Sequence, residues 1–261
     1  MRAITFIGGG RITAALCTGL RLSGDRREIV VYDRNPEKLR RLQVASRVRI
    51  ARDLHAAIES ADLVTVAVRP GSVSEVLQQI GDQGRRARIF VSLAAGVPLK
   101  NLRTWLPVQW VRAMPSPVCR VGRGLTAMCF DRGVSEKNRA AVWGLFARVG
   151  QVIEVSEKRF DAFTVTYSSS HGYHALATLA EAAKRAGLDR KTALMAAAHA
   201  LADGIQYWRE SGSALSELLQ EAATPGGIAA ATMDGMDRAG YQRAVEKGMA
   251  AGIRQARRNS R

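Results

Sequence analysis

Short runs of β-branched and aromatic residues alternate with amphipathic stretches from Met1 to Ser156. This alternation is typical of a parallel sheet whose strands are joined by crossover helices. Helices are predicted between the runs, notably over Arg11–Leu22 and Asn138–Arg148. The predicted strands are Ala3–Ile7, Glu28–Asp33, Leu63–Val68, Ile89–Leu93, Trp110–Met114, Thr126–Phe130 and Val152–Val155, with a weaker one near Val48–Ala51.

The pattern changes after Glu157, where strand-like runs cease and alanine and leucine repeat at helical spacing over 172–185 and 191–208. The predicted fold class is therefore α/β, with a doubly wound sheet domain over 1–156 and an all-α domain over 157–261. Residues typical of helix ends mark the helices of the second domain: Gly187 and Gly212 as stops, Asp189 and Ser213 as N-caps, and Gly240 between the last two helices.

The chain carries a formal net charge of +16, contributed mainly by 32 Arg among its 39 basic residues. These arginines are scattered, and they form neither a basic helix stripe nor an alternation with aromatic residues. We interpret them as a solvated Arg-rich surface and expect no nucleic-acid partner. A small phosphate-bearing ligand would also suit this charge.

The three cysteines, Cys17, Cys119 and Cys129, show neither disulfide nor metal-ligand spacing, so no metal site is expected. The first strand-like run is too short for a signal-peptide core, and no segment approaches about 20 uninterrupted apolar residues. The sequence therefore predicts a cytoplasmic protein that is not associated with a membrane.

Three glycines follow the first predicted strand and open the first predicted helix. Gly8, Gly10 and Thr13 match the G-x-G-x-x-G/A pattern except at its last position. In this context Gly8 makes the tight turn, Gly10 admits a pyrophosphate, and the amides of Arg11 and Ile12 lie at the positive end of the helix. The motif predicts a Rossmann-type dinucleotide site.

An acidic residue, Asp33, ends the second predicted strand at the distance expected of a carboxylate that binds the adenosine ribose. Asp33 can accept from both ribose hydroxyls and would repel a 2′-phosphate, whereas the adjacent Arg34 and Lys38 could attract one. The position of the carboxylate favours NAD, and the basic residues keep NADP open.

Further segments resemble the pyrroline-5-carboxylate reductase family in order and spacing over nearly the whole chain. They are FIGGGRITAAL, VAVRPGSVSEVL, VSLAAGV, VRAMPSPV, VGRGLTA, LFARVGQVIEVSEKRFDAFT and ATPGGIAAATMDGMDRAGYQRAV. The resemblance implies an NADH- or NADPH-dependent imine reductase with an N-terminal Rossmann domain. It also implies a helical C-terminal domain that intertwines with that of a partner chain, and an active site between the two domains.

By the same resemblance, residues at four predicted strand ends would contact the cofactor. The family has Lys where Arg69 stands and, directly after the last of these residues, Asn where Ser116 stands. The residues at the pyrophosphate would be Gly8, Gly10, Arg11 and Ile12, and those towards the nicotinamide would be Val68, Arg69, Pro70, Ala94, Ala95, Gly96, Met114 and Pro115.

The two substrate motifs of the family are altered here. S-G-S-G-P-A-Y aligns with residues 167–173, of which Ser169 and Tyr173 are retained. S-P-G-G-T-T aligns with residues 224–229, which keep the turn but place Ala229 where the family has a threonine hydroxyl. By resemblance the substrate-binding residues are Ser169, Pro225, Gly226, Gly227, Ile228 and Ala229, with the helix-start amides suited to a carboxylate.

Reduction of an imine requires a hydride on carbon and a proton on nitrogen. A cyclic imine can arrive protonated, so orientation beside the nicotinamide could supply most of the rate. If the protein donates the proton, the candidates are His171 and Tyr173, because imidazole ordinarily titrates near neutral pH and a phenol carries a donor. A helix-entrance or interface role for His171 is the alternative.

The expected activity is NAD(P)H-dependent reduction of 1-pyrroline-5-carboxylate to proline by a homodimer or a higher oligomer. The altered motifs leave two alternatives, a reductase of another small imine and a cofactor-binding homologue that acts as a regulator without turnover.

Overall fold

The computed structural model describes residues 3–59 and 61–259. Its strands are β1 (Ala3–Ile7), β2 (Glu28–Tyr32), β3 (Arg49–Ile50), β4 (Leu63–Val66), β5 (Ile89–Ser92), β6 (Trp110–Met114), β7 (Gly124–Phe130) and β8 (Gly150–Glu154). Its α-helices are α1 (Arg11–Leu22), α2 (Pro36–Ser46), α3 (Leu54–Ile58), α4 (Val73–Ile80), α5 (Leu99–Trp105), α6 (Glu136–Ala147), α7 (Glu157–Thr166), α8 (Ser170–Arg185), α9 (Arg190–Ser211), α10 (Leu215–Ala222), α11 (Ile228–Arg238) and α12 (Tyr241–Arg258).

The eight strands form one sheet in the order β3-β2-β1-β4-β5-β6-β7-β8. All neighbouring pairs are parallel except β6 and β7, which are antiparallel. The prediction of parallel strands joined by crossover helices is wrong at this pair, because a short 3-10 turn over Pro117–Val121 returns the chain beside β6 without a crossover helix. The first six strands keep the order of a Rossmann fold, so the predicted fold class is confirmed.

The sheet is covered on both faces, so its central strands β1, β4 and β5 are buried along their whole length. Leu16 and Phe146 belong to the core on one face, formed with helices α1, α2 and α6. Leu77 and Phe160 belong to the core on the other face, formed with α3, α4, α5 and α7. Two-sided burial is the arrangement that a doubly wound parallel sheet requires.

A buried arginine on β6 joins α7 to the sheet. The guanidinium of Arg112 is only 3% exposed and lies 3.1 Å from Glu157 Oε1 and 3.0 Å from Asp161 Oδ1. Its Cζ also lies 4.4 Å from the ring centroid of Phe160. Glu157 accepts a second hydrogen bond from the amide of Leu99, so the same carboxylate fixes the start of α5.

Contacts divide the chain into two compact units. The first unit comprises the chain up to Tyr167 together with the residues from Gly252 onwards, and the second unit is Ser168–Ala251. The division into an NAD(P)-binding domain over 1–156 and a dimerisation and substrate domain over 157–261 stays a prediction. In the second unit α8 packs on α9, and only Ala193 and Ala197 are buried among its described residues.

The predicted helix ends are mostly where the structure has them. Asp189 Oδ1 accepts from the amides of Lys191 and Thr192, and Gly212 ends α9 with φ +70°. The predicted N-cap at Ser213 is wrong by one residue, because Ala214 precedes α10 and its amide donates to Glu217 Oε2.

The last turns of α12 pack within the first unit. Gly96 has φ +79°, and a Cβ on it would lie 2.2 Å from the carbonyl oxygen of Ala256. A Cβ on Gly252 would lie 2.7 Å from Val165 Cγ1 on α7. The end of α12 therefore packs closely against the backbone of the loop after β5 and against the Val165 side chain of α7.

Candidate functional site

The turn after β1 is held in a conformation that only glycine adopts readily. Gly8 has φ +108°, and a Cβ on it would lie 2.6 Å from the carbonyl oxygen of Ala67. The Gly8 amide donates to Tyr32 O at 2.7 Å, which joins the turn to the end of β2. Thr13, the departure from the glycine pattern, is fully buried and its hydroxyl donates to Gly8 O at 2.6 Å. The larger residue is therefore accommodated by a hydrogen bond to the turn itself.

Gly10 is the N-cap of α1, and a Cβ on it would meet nothing within 4 Å. No side chain caps the helix, and its first turn contains no acidic residue. The helix-start amides can therefore bind an anion that approaches closely at Gly10. The turn packs tightly against the chain at Gly8 and leaves open space at Gly10, and this space would accommodate a dinucleotide pyrophosphate.

Asp33 lies just beyond β2 with its carboxylate turned towards the glycine turn. Its Oδ2 accepts from the Gly9 amide at 2.7 Å, and its Oδ1 accepts from the Asn35 amide at 2.8 Å. Burial alone would raise the pKa of Asp33, but the hydrogen bonds from Asn35 and Gly9 and the nearby Lys38 ammonium outweigh it and lower that pKa. Asp33 is therefore a fixed carboxylate that stays ionised at neutral pH.

The other residues expected at the cofactor follow strands that run parallel to β1. Because β1, β4, β5 and β6 are mutually parallel along the sheet, their carboxyl ends lie at one edge. The structure thus brings the predicted strand-end residues to the edge where doubly wound folds bind ligands. They are Val68, Arg69 and Pro70 after β4, Ala94, Ala95 and Gly96 after β5, and Met114 and Pro115 at the end of β6.

One hydrogen-bonded pair beside this edge was not predicted from the sequence. The Tyr167 hydroxyl donates to Ser116 Oγ at 3.0 Å and accepts from the Leu125 amide at 2.7 Å. Ser116 is 7% exposed and directly follows Pro115. The resemblance marked both positions as departures from the family, but nothing in the sequence indicated that the two side chains meet.

Replacing Tyr167 with Phe is expected to destabilise the protein by about 1–3 kcal/mol, because the part-buried Leu125 amide loses its acceptor. Urea unfolding followed by circular dichroism measures the change. Ser116→Ala is the matched comparison, since it removes the hydroxyl that Tyr167 contacts but leaves the Leu125 amide satisfied. An equal cost for the two variants would contradict the role assigned to the Leu125 hydrogen bond.

The predicted substrate residues lie on two helix starts of the second unit. Ser169 is the N-cap of α8, and the side chains of His171 and Tyr173 are exposed on its first turn. The Tyr173 amide donates to Ser169 O at 3.2 Å. Ser169 makes no side-chain capping hydrogen bond. Its hydroxyl is therefore not committed to capping α8.

The second helix start is the turn before α11. Gly226 has φ +74°, and the Gly227 amide donates to Thr224 O at 2.8 Å. Gly227 is the N-cap of α11, which has no side-chain cap and no acidic residue in its first turn. Ile228, the first residue of α11, is 89% exposed. The turn thus presents uncapped helix amides of the kind that bind carboxylates.

The cysteines are unsuited to nucleophilic chemistry. Cys17, Cys119 and Cys129 are all buried, and burial raises the pKa of each thiol to about 12. For Cys129 the adjacent Glu157 carboxylate contributes to this rise in pKa after burial. Among the residues described, no cluster of His, Cys, Asp or Glu has the composition of a metal site, and none of the helices is long and apolar enough to cross a membrane.

Comparison with known proteins agrees with this geometry. Residues 3–96 match the family model described as NADP oxidoreductase coenzyme F420-dependent, and residues 157–259 match that of pyrroline-5-carboxylate reductase dimerisation. Pyrroline-5-carboxylate reductase of Mycobacterium tuberculosis is 31% identical over 96% of this chain and 94% of the relative.

Two solved structures have the same fold. Pyrroline carboxylate reductase of Plasmodium falciparum, solved with NADP bound, has a TM-score of 0.88 and 18% identity over 99% of this chain and 98% of the other. Pyrroline-5-carboxylate reductase of Coxiella burnetii has a TM-score of 0.87 and 25% identity over the same shares.

The sheet order, the glycine turn and the fixed acid after β2 together define a Rossmann-type dinucleotide-binding protein. Identity over nearly the full length then specifies the group within that class. The chain belongs to the pyrroline-5-carboxylate reductase family, as its sequence motifs predicted.

Proposed function

We propose that the protein reduces 1-pyrroline-5-carboxylate to proline with NADH or NADPH. One observation in a chain of this family carries the proposal. The start of α1 has no side-chain cap, and the open space at Gly10 lets a ligand approach its amides. The bound reduced nicotinamide supplies the hydride to the imine carbon. The protein binds and orients the two reactants and provides the proton if the imine arrives neutral.

The residues at the sheet edge would bind the cofactor in two halves. Gly8, Gly10, Arg11 and Ile12 form the turn and the helix start that receive the pyrophosphate. The loops after β4, β5 and β6 are on the opposite side of β1 from β2 and β3, so they correspond to the nicotinamide half of a Rossmann sheet.

The turn at Pro225, Gly226 and Gly227 would bind the substrate carboxylate through the amides at the start of α11. Its support is the absence of a side-chain cap and of acidic residues in the first turn, which leaves donors and a favourable dipole. Ile228 and Ala229 would contribute backbone amides, since Ala229 has no hydroxyl to offer. Ser169 would add a side-chain contact.

The second unit supports assembly as a homodimer. Its helices expose large apolar side chains, including Met195, Ile205 and Trp208, each between 43% and 54% exposed. Exposed apolar surface of this extent is typical of a protein interface. The match to a dimerisation model over the same helices agrees, and a cytoplasmic location belongs to the same proposal.

A steady-state assay with pyrroline-5-carboxylate and each cofactor tests the proposed reaction. Turnover with either cofactor supports it, and negligible turnover with both removes the proline assignment. Oxidation of the cofactor by another cyclic imine alone would identify a different substrate. The altered residues Ala229 and His171 make such an imine the second candidate. Cofactor binding without turnover of any imine would indicate the regulatory alternative.

A donor role for His171 predicts that His171→Ala lowers kcat, by roughly 100-fold for a lost general acid, with little change in NADH affinity. The measurement is kcat against pH for the two proteins, with NADH affinity taken from fluorescence titration. His174→Ala is the matched control, because His174 lies on the same helix one position outside the family motif. A pH profile unchanged by His171→Ala would contradict the donor role and favour a helix-entrance role for His171.

A further inference from the structure

The nucleotide-binding half of the sheet edge contains one negative charge in a fixed position. Both carboxylate oxygens of Asp33 accept backbone hydrogen bonds, from Gly9 and from Asn35, and the side chain is 13% exposed. A Cβ on Gly9 would lie 3.3 Å from Asp33 Cβ, so the glycine turn and the acid are packed against each other. The carboxylate cannot swing away from a ligand in the turn without breaking these bonds.

The start of α2, which follows Asp33, has few donors to offer a phosphate. Asn35 Oδ1 accepts from the amides of Glu37 at 2.9 Å and Lys38 at 3.3 Å, so the helix is capped by its own chain. Pro36 has no amide hydrogen, and the Asn35 amide is engaged with Asp33. The backbone at this point is therefore satisfied without a ligand.

The two basic side chains beside Asp33 do not form a phosphate clamp. Lys38 Nζ lies 3.4 Å from Asp33 Oδ2, so the acid already neutralises it. Arg34 is 76% exposed and lies 3.9 Å from Glu75. A 2′-phosphate on the adenosine ribose would meet a fixed carboxylate before it met an organised cation.

We propose that Asp33 makes this protein selective for NADH over NADPH. Asp33 Oδ1 keeps one lone pair for a hydroxyl of the adenosine ribose, and Oδ2 accepts from the second hydroxyl when the ribose displaces the exposed Lys38 ammonium. The carboxylate repels a 2′-phosphate. The inference rests on the proposed function only in needing a nicotinamide dinucleotide at the glycine turn.

Equilibrium binding of NADH and of NADPH, measured without any imine by fluorescence titration, tests the selectivity. We expect NADH to bind at least about tenfold more tightly, because placing like charges together at a binding site is strongly unfavourable. Tighter binding of NADPH, or equal binding of the two, would overturn the inference.

Asp33→Asn tests the residue itself, since it removes the charge and keeps one acceptor for the backbone. We expect the NADH-to-NADPH affinity ratio to fall by roughly tenfold or more, with Arg34 and Lys38 then free to attract the 2′-phosphate. Glu37→Gln is the matched control, because it removes an exposed charge paired with Arg41 at the same helix start. Its ratio is expected to stay within about twofold of the unsubstituted protein.

The outcomes distinguish this inference from the proposed reaction. An unchanged ratio in Asp33→Asn, or an equal shift in Glu37→Gln, overturns the role of Asp33 whatever the substrate is. If Asp33→Asn does not fold, the ratio measured for the unsubstituted protein still decides selectivity. NADH-selective binding without turnover of pyrroline-5-carboxylate would support the inference and overturn the proline assignment, and failure to bind either cofactor would overturn both.

Discussion

Replacement of Gly10 by Val is expected to weaken NADH binding by roughly 100-fold or more while the protein remains folded. A Cβ at Gly10 would meet no atom beyond its chain neighbours within 4 Å, so the folded protein has open space at this position. The pyrophosphate of a bound dinucleotide would need that same space. The loss therefore arises from exclusion of the ligand rather than from damage to the turn.

Fluorescence titration with NADH measures the affinity, and circular dichroism with thermal unfolding checks the fold. Gly133→Val is the matched control, because Gly133 is exposed, has open space at its Cβ and lies in a turn away from the glycine motif. Gly8→Val should instead destabilise the fold, since its side chain would collide with the carbonyl of Ala67. Unchanged NADH affinity in Gly10→Val would mean that the turn does not bind the cofactor.

Replacement of Arg112 by Met is expected to lower the free energy of unfolding by about 3 kcal/mol. The change leaves Glu157 and Asp161 without their shared cation and removes the guanidinium from the ring of Phe160. Breaking a buried ion pair on one side is costly because the remaining charge is desolvated without compensation. The two acids are 37% and 28% exposed, which places the cost at the lower end of the usual range.

Urea unfolding at neutral pH measures this cost, and Arg49→Met provides the comparison. Arg49 lies 2.6 Å from Glu28, but both side chains are nearly half exposed, so its loss should cost less than about 1 kcal/mol. Equal costs for the two variants would show that the Arg112 network contributes no more than a surface pair.

Local patterns in the sequence predicted most of the fold. The bounds of β1, β6 and α1 agree with the structure because each is a mainly apolar or amphipathic run followed directly by a residue typical of turns, Gly8, Pro115 and Ser23 respectively. The direction of β7 could not be predicted in the same way. A strand buried on both faces has the same residue pattern whichever way it runs, so direction depends on the connection.

The site was predictable where one short segment forms it. The glycine turn and the start of α1 are contiguous, and their geometry follows from the identity of three residues. The pairing of Ser116 with Tyr167 joins residues 51 positions apart and depends on where α7 packs. Asp33 was placed at the end of the second strand from the sequence, but the hydrogen bond that its carboxylate accepts from Gly9 depends on the three-dimensional approach of β2 to the turn.

The return of α12 to the first unit has a consequence for how the protein is made. The contacts of Gly96 with Ala256 and of Val165 with Gly252 join residues on opposite sides of the second unit in chain order. During synthesis, the whole of Ser168–Ala251 must leave the ribosome before these contacts can form. The dinucleotide-binding unit is thus completed only after the helical segment has been translated. A growing chain that bound the cofactor earlier would bind it before α12 packs against the loop after β5.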